Sequence, residues 1–143
     1  MKLLCENHKN LVDTILPNFS TKECHSMHGL DEYSSNHLLF GCIMREFYNK
    51  KNITYPLLIH LLWEYGESLD FTKKIINKIY TYINLDRHLY KGDSLVNFTS
   101  DNILFIAGYY LQDKIKINRK ALSQLFIADL LKAQLYTKLL TSE

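Results

Sequence analysis

Two cysteines and two histidines near the amino terminus have the residue types and the close spacing of zinc ligands. Two residues separate Cys5 from His8 and three separate Cys24 from His28, with 15 residues between the two pairs. Each pair could hold one side of a tetrahedral zinc ion, and His25 could replace one ligand. The alternative is a loop with a small apolar helix that buries Cys5 and needs no metal. We therefore predict no metal ligand, with these four residues as the candidates that a metal analysis would test.

Other motifs that carry chemistry are missing from the sequence. It contains no glycine-rich phosphate loop, no nucleophile elbow and no histidine-glutamate metalloprotease motif. The carboxylate pairs Asp31-Glu32 and Glu64 with Glu67 are expected on exposed loops or helix ends. Cys42 is expected on the apolar face of a helix, as a small core residue. We predict no catalytic residue, no cofactor and no enzymatic activity, because no nucleophile, base and orienting group can be assembled.

Length and charge limit the class of protein. The 143 residues are enough for one domain with a core, and a net charge of +2 from dispersed basic residues does not indicate nucleic-acid binding. There is no run of about 18 apolar residues and no apolar signal segment, so neither a membrane anchor nor secretion is expected. Three cysteines do not form a paired disulfide framework. These features predict an intracellular protein.

Apolar residues recur at helical spacing along most of the chain. A short helix is expected over residues 6–16, before Pro17. Ser35 and Thr54 are expected to cap the next two helices, and a further helix starts near Asp70. In the helices after Thr54 and Asp70, the side chains expected to face the core are Leu58, Leu61, Leu62, Tyr65, Phe71, Ile75, Ile76, Ile79, Tyr80 and Ile83.

An unusually apolar segment, residues 103–111, predicts the central helix. It follows Thr99-Ser100-Asp101-Asn102, whose side chains could cap a helix that begins near Asp101. A helix without a polar face must be surrounded by other helices, and Gly108 is expected to permit the close approach of a neighbour. Asn118 is expected to cap the last helix. The prediction is an all-α bundle of six or seven helices, with residues 1–33 as an amino-terminal arm and residues 34–143 as the helical domain.

This pattern resembles the Bcl-2 fold, in particular the small poxvirus Bcl-2-like proteins without a tail anchor. The polar segment before Ile103-Leu104-Phe105 stands where the family has the cap of its central helix. Residues 43–52 resemble the first long helix of the poxviral proteins, residues 57–66 their second, and residues 96–99 the approach to the central one. The resemblance covers residues 34–140 and implies a Bcl-2-like helical bundle.

The resemblance implies functions that depend on protein contacts in the host cell cytoplasm. The first is a virulence factor that inhibits host innate immune signalling, in the NF-κB or interferon pathway. The alternative is an anti-apoptotic protein that binds pro-death helices of host Bcl-2 proteins. A second alternative, outside the family, is a zinc-binding adaptor that uses the amino-terminal cysteines and histidines. Candidates for the partner groove are Leu58, Leu62, Ile76, Ile79 and Phe105, and candidates for a partner or homodimer interface are Arg45, Phe47, Tyr48 and Trp63.

Overall fold

The computed structural model describes residues 30–31, 33–48, 52–82 and 93–141. These residues contain five α-helices and no β-strand. The helices are α1 (Ser34–Tyr48), α2 (Thr54–Glu67), α3 (Asp70–Tyr82), α4 (Leu95–Ile115) and α5 (Arg119–Thr141). The all-α prediction is confirmed, although the described residues hold five helices where six or seven were expected. The helix predicted over residues 6–16 lies outside them.

Local capping explains where α1 and α2 begin. Ser34 Oγ accepts a hydrogen bond from the Asp31 backbone N–H at 2.8 Å. Asn52 Oδ1 accepts one from the Thr54 N–H, also at 2.8 Å. Side-chain oxygens of this kind satisfy backbone donors that have no partner within the first turn of a helix. Both helices begin close to the residues that were expected to cap them. Ser35 itself lies inside α1 and Thr54 is the first residue of α2, after Ile53 in the cap position, so neither is the observed cap.

The start of α4 differs from the prediction. The helix begins at Leu95, because Ser94 has an extended backbone and its Oγ accepts a hydrogen bond from the Asn97 N–H at 3.0 Å. Thr99 lies inside the helix, where its hydroxyl donates to the Leu95 carbonyl at 2.7 Å. The predicted cap around Asp101 was wrong. Asp101 is instead a buried carboxyl side chain in the second turn of α4.

Glycines allow α1 and α4 to pack closely, and this pair has the most extensive contact among the described helices. A Cβ added to Gly41 would overlap the carbonyl oxygen of Phe105, and one added to Gly108 would overlap that of Leu38. The Cys42 thiol donates to the Gly108 carbonyl at 3.1 Å. The predictions that Gly108 permits close approach and that Cys42 is a core residue are confirmed.

Many apolar side chains that were predicted to be buried face solvent. Ile103 and Tyr110 of α4 are exposed, so the prediction that this helix is surrounded on every side was wrong. On α2 and α3 the exposed members of the predicted stripes are Leu58, Leu62, Tyr65, Phe71, Ile75 and Ile79. The fully buried apolar side chains of the described residues are Cys42, Phe105, Tyr109, Leu122 and Ala133. None of the described helices is both long and apolar enough to cross a membrane.

Candidate metal centre

The inward face of α2 is polar. Its buried residues are Pro56, His60 and Glu64, which follow one another at four-residue spacing. His60 is fully buried and Glu64 is 1% exposed. Leu58 and Leu62 lie two positions away from these residues and therefore project from the other side of the helix. The structure thus orients α2 with its apolar stripe outward, which explains why the prediction for this helix was wrong.

Three potential ligand atoms form a triangle between α1 and α2. One belongs to His37 of α1, and the other two belong to His60 and Glu64 of α2. His37 Nδ1 lies 3.1 Å from His60 Nε2 and 3.2 Å from Glu64 Oε1. The third distance, between His60 Nε2 and Glu64 Oε1, is 3.4 Å. Ligand atoms that lie about 2.0–2.1 Å from a tetrahedral zinc ion are about 3.3 Å from one another. The three distances therefore match the edges of a zinc coordination shell, and we call these residues the His37–His60–Glu64 triad.

Hydrogen bonds around His60 determine which of its nitrogens carries a proton. Asn102 Nδ2 donates to the Phe98 carbonyl at 2.7 Å, which leaves Asn102 Oδ1 facing His60 Nδ1 at 3.0 Å. Because this oxygen accepts, Nδ1 must donate, and the lone pair of the neutral ring is on Nε2. When Glu64 is ionised, His60 Nε2 and Glu64 Oε1 are consequently two acceptors that face each other. The His60 ring is also held by stacking on Phe105, with 4.2 Å between the ring centroids.

A cation between these atoms would satisfy all of them at once. A proton on His37 Nδ1 can be donated to just one of the two acceptors. Neither carboxylate oxygen of Glu64 has a hydrogen-bond partner in the part of the chain that the structure describes. On the far side of the His37 ring, Nε2 lies 3.6 Å from Asp101 Oδ2. In metal sites an oxygen that accepts from the second ring nitrogen orients the histidine ligand. Asn102 has this role beside His60, whereas the distance from His37 to Asp101 is too long for a hydrogen bond.

Burial determines the protonation of the triad. It lowers the pKa of His37 to about 4 and that of His60 to about 4, so both rings are neutral at pH 7 despite their ion-pair distances to carboxylates. Burial, followed by the charge of Asp31, raises the pKa of Glu64 to about 7. Burial and four neighbouring carboxylates raise the pKa of Asp101 to about 10. Neutral imidazole is the form that binds metals, and the raised carboxyl pKa values reflect burial first and then repulsion between neighbouring carboxylates.

The triad lies in the wall of a cavity of about 420 Å³, a size that suits a small ligand. Five carboxylate residues line this cavity, namely Asp31, Glu64, Glu67, Asp93 and Asp101. No lysine or arginine is among its described lining residues. The prediction of exposed loops or helix ends was therefore wrong for Glu64, which is buried. Asp31 does precede α1 and Glu67 does end α2, but both are half-buried and face the cavity. The remaining walls are largely aromatic or aliphatic, and they include Phe40, Trp63, Ile76, Ile79, Phe126 and Leu130.

The predicted groove residues do not share one surface. Leu58 and Leu62 are exposed on the outer face of α2, whereas Ile76 and Ile79 of α3 line the cavity. Phe105 is completely buried against His60. The five candidates therefore lie in three different environments, namely the outer face of α2, the wall of the cavity and the core. They do not line one common groove.

The predicted interface residues have varied surroundings. Arg45 Nη2 forms an ion pair with Asp113 Oδ1 at 2.6 Å. Phe47 is exposed, with the Arg119 guanidinium 5.6 Å from its ring centroid. Tyr48 is half-buried, and Trp63 is 62% exposed at the border of the cavity. The metal candidates Cys5, His8, Cys24 and His28 lie outside the described residues.

Sequence reasoning missed the triad, because it assigned the inward face of α2 from apolar residues. One local signal was available. His60 and Glu64 are four positions apart, so a helix places both side chains on one face, and His37 is at the start of the preceding helix. The position of Asp101 beside the triad was also missed, because this residue was assigned to a helix cap.

Comparison with known proteins gives no relative from which a role could be transferred. No family model, no curated protein and no solved structure matches the chain. Function must therefore be inferred from the geometry of the site.

Proposed function

We propose that this protein is a metalloprotein in which His37, His60 and Glu64 bind zinc or a similar divalent transition metal. The observation that carries the proposal is the triangle of ligand atoms with edges of 3.1, 3.2 and 3.4 Å. Imidazole nitrogens suit zinc and its neighbours in the first transition series, whereas calcium and magnesium prefer oxygen ligands. The lone pair on His60 Nε2 and the unpartnered Glu64 carboxylate favour the same assignment.

The number of ligands favours a catalytic ion over a structural one. Structural zinc ions usually have four side-chain ligands, whereas catalytic ones have three, such as two histidines and a glutamate, and bind water in the fourth position. The metal lowers the pKa of this water, which becomes a nucleophile near neutral pH. Because the triad borders a cavity of about 420 Å³, hydrolysis of a small substrate is the activity that the site supports best. This proposal departs from the prediction that the chain has no enzymatic activity.

Metal titration of the full chain tests the proposal. We would strip the purified protein with a chelator and measure the binding of Zn²⁺, and of Co²⁺ by its visible absorption. Glu64→Gln and His60→Ala are expected to weaken binding by about 100-fold or more, because outer-shell changes alone cost roughly 10–100-fold. Circular dichroism of each variant establishes that the helices remain folded.

A double variant, Cys5→Ser with Cys24→Ser, is the control for the amino-terminal zinc candidates. We expect it to bind Co²⁺ like the wild type, without the charge-transfer absorption of a thiolate ligand. Loss of metal in this variant, with unchanged affinity in folded Glu64→Gln, would assign the ion to the amino-terminal arm and refute the proposal.

We also propose a second candidate function, a Bcl-2-like inhibitor of host innate immune signalling or of apoptosis in the host cell cytoplasm. It is favoured by the outer face of α2, where Leu58 is 50% exposed and Leu62 is 62% exposed. Trp63, at the border of the cavity, adds a further apolar side chain that is 62% exposed. Neighbouring apolar side chains on one exposed helix face are typical of partner surfaces. This function does not depend on the triad.

Affinity capture from cells and titration with pro-death peptides test this second function. A signalling adaptor recovered with the wild type but not with Leu62→Asp would support the immune role. A peptide bound more tightly than about 10 μM, or about −7 kcal/mol, would support the anti-apoptotic one. Failure of both with the folded wild-type protein would remove the candidate.

A further inference from the structure

A second cluster of carboxylates adjoins the triad. Oxygen atoms of Glu64, Glu67 and Asp93 all lie within 4.8 Å of one another. Glu64 is 1% exposed and Asp93 is 7% exposed, so water screens little of their charge. Glu64 belongs to both groups, and both of its oxygens lack a hydrogen-bond partner among the described residues. A carboxylate with two unpartnered oxygens can give one oxygen to each of two ions.

We propose that Glu64, Glu67 and Asp93 bind a second divalent cation, so that the cavity holds a two-metal centre bridged by Glu64 that hydrolyses a phosphate ester. This inference rests on the proposed function, because the triad must bind the first ion. It goes beyond that function by adding a second ion and a class of substrate.

Charge and ligand type support the second ion. Five carboxylates line the cavity and no cationic side chain is among its described lining residues. The ligands of the second ion are all carboxylate oxygens, which suit Mg²⁺ or Mn²⁺, whereas the triad with its two imidazoles suits zinc or manganese. Mn²⁺ ions alone can therefore occupy both positions.

The two-metal arrangement indicates the substrate. Two ions about 3.5–4 Å apart act as a clamp on the attacking and leaving oxygens of an in-line displacement at phosphorus. The phosphate oxygens would bind to the two ions themselves, because no lysine or arginine is among the described lining residues of the cavity. The aromatic and aliphatic walls around Phe126 and Ile79 suit an apolar body on the ester.

The reaction balances without an additional reagent. The oxygen of a metal-bound water forms a bond to phosphorus while the bond from phosphorus to the ester oxygen breaks. One proton of the water is transferred to the leaving oxygen, and the other remains on the phosphate. The products are an alcohol and hydrogen phosphate, and no atom changes its oxidation state.

Metal counting on the full chain tests the second ion. The stripped wild-type protein would be loaded with Mn²⁺, and bound metal would be measured together with the electron paramagnetic resonance spectrum. We expect two equivalents with a spin-coupled signal in the wild type, and one uncoupled equivalent in Glu67→Gln and in Asp93→Asn. Asp70→Asn is the matched control, since the Asp70 side chain is 92% exposed, and it should keep two. One equivalent in the wild type would overturn the inference and leave the proposed function intact, whereas no bound metal would overturn both.

Hydrolysis of p-nitrophenyl phosphate by the Mn²⁺-loaded protein tests the substrate class. We expect turnover in the wild type and in Asp70→Asn, reduced by at least about tenfold in Glu67→Gln. Two bound equivalents without turnover of this ester would overturn the assignment to phosphate esters.

Discussion

At the scale of single residues, the candidate site consists of polar side chains that are buried in the core. Burial of such groups costs free energy unless they have partners. His60 has a hydrogen bond from Nδ1 and a lone pair on Nε2 because Asn102 is itself held by the Phe98 carbonyl. The amide is therefore an orienting group for a metal ligand, although it touches no metal position itself.

We predict that Asn102→Ala weakens Zn²⁺ binding by about 10–100-fold, less than the loss of His60. Without the amide oxygen, His60 can place its proton on Nε2, where it competes with the ion. The measurement is Zn²⁺ titration of the stripped protein, and Gln124→Ala, on the exposed side of α5, is the control. Equal affinity in Asn102→Ala and the wild type would show that the amide does not orient His60.

The carboxyl groups predict an unusual pH dependence for the metal-free protein. Burial raises the pKa of Glu67 to about 8 and that of Asp101 to about 10, both above the values expected in the unfolded chain. The folded state therefore holds protons that the unfolded state releases, and stability falls as pH rises. Between about pH 7.5 and 8.5 the histidines are almost entirely neutral in both states, so the carboxyl groups dominate. The free energy of unfolding should fall by roughly 1–2 kcal/mol per pH unit, taking about 1.4 per group as the upper limit.

Urea denaturation at several pH values, with and without Zn²⁺, measures this effect. With the ion bound the slope should weaken or reverse, because protons compete with the metal for its ligands. Asp101→Asn removes one of the two groups and should flatten the metal-free slope. A metal-free stability that is constant over this range in the wild type would contradict the protonation assigned to these residues.

At the scale of helices, the contact between α1 and α4 depends on two glycines. Gly108→Ala is expected to destabilise the protein by about 3 kcal/mol or more, since the added methyl would overlap the backbone of Leu38 and force the helices apart. Gly66→Ala is the matched control, because an added Cβ meets no atom within 4 Å there. Its higher helix propensity should stabilise α2 by up to about 1 kcal/mol. Thermal and urea denaturation measure the change in the free energy of unfolding for both variants. Equal changes in Gly108→Ala and Gly66→Ala would show that α1 and α4 are not in close contact at Gly108.

Some helix starts could be predicted from sequence, and the start of α4 and the orientation of α2 could not. Caps are local, so the predicted cap Asn118 is confirmed by its hydrogen bond from the Ala121 N–H at 2.9 Å, and α3 begins at Asp70 as predicted. α2 carries two stripes at four-residue spacing, one apolar through Leu58 and Leu62 and one polar through His60 and Glu64. The polar stripe faces inward because His60 contacts His37 and Asn102, which are 23 and 42 positions away in the sequence. A periodicity rule that assigns the apolar stripe to the core contains no information about such distant polar partners.

At the scale of the whole molecule, the buried carboxylates destabilise the metal-free fold and the ion should restore its stability. We predict that Zn²⁺ at about a thousand times its dissociation constant stabilises the protein by about 4 kcal/mol. For a domain of this size that corresponds to a rise in Tm of about 10 °C. Differential scanning calorimetry measures the shift. Glu64→Gln, measured at the same zinc concentration, should show little or none, and an equal rise in both proteins would place the stabilising ion elsewhere.

The division of the triad between α1 and α2, with its orienting group on α4, also determines when the site can form during synthesis. His37, His60 and Glu64 are made first, and Asp101 and Asn102 are added about 40 residues after His60 and Glu64. The glycine contact between α1 and α4 brings His37 beside Asp101. We therefore expect metal capture to be a late event of folding, which follows the synthesis of α4 and reports that the first and fourth helices have met. In a refolding experiment, the rate at which the absorption of bound Co²⁺ appears would report the rate at which α1 and α4 come into contact.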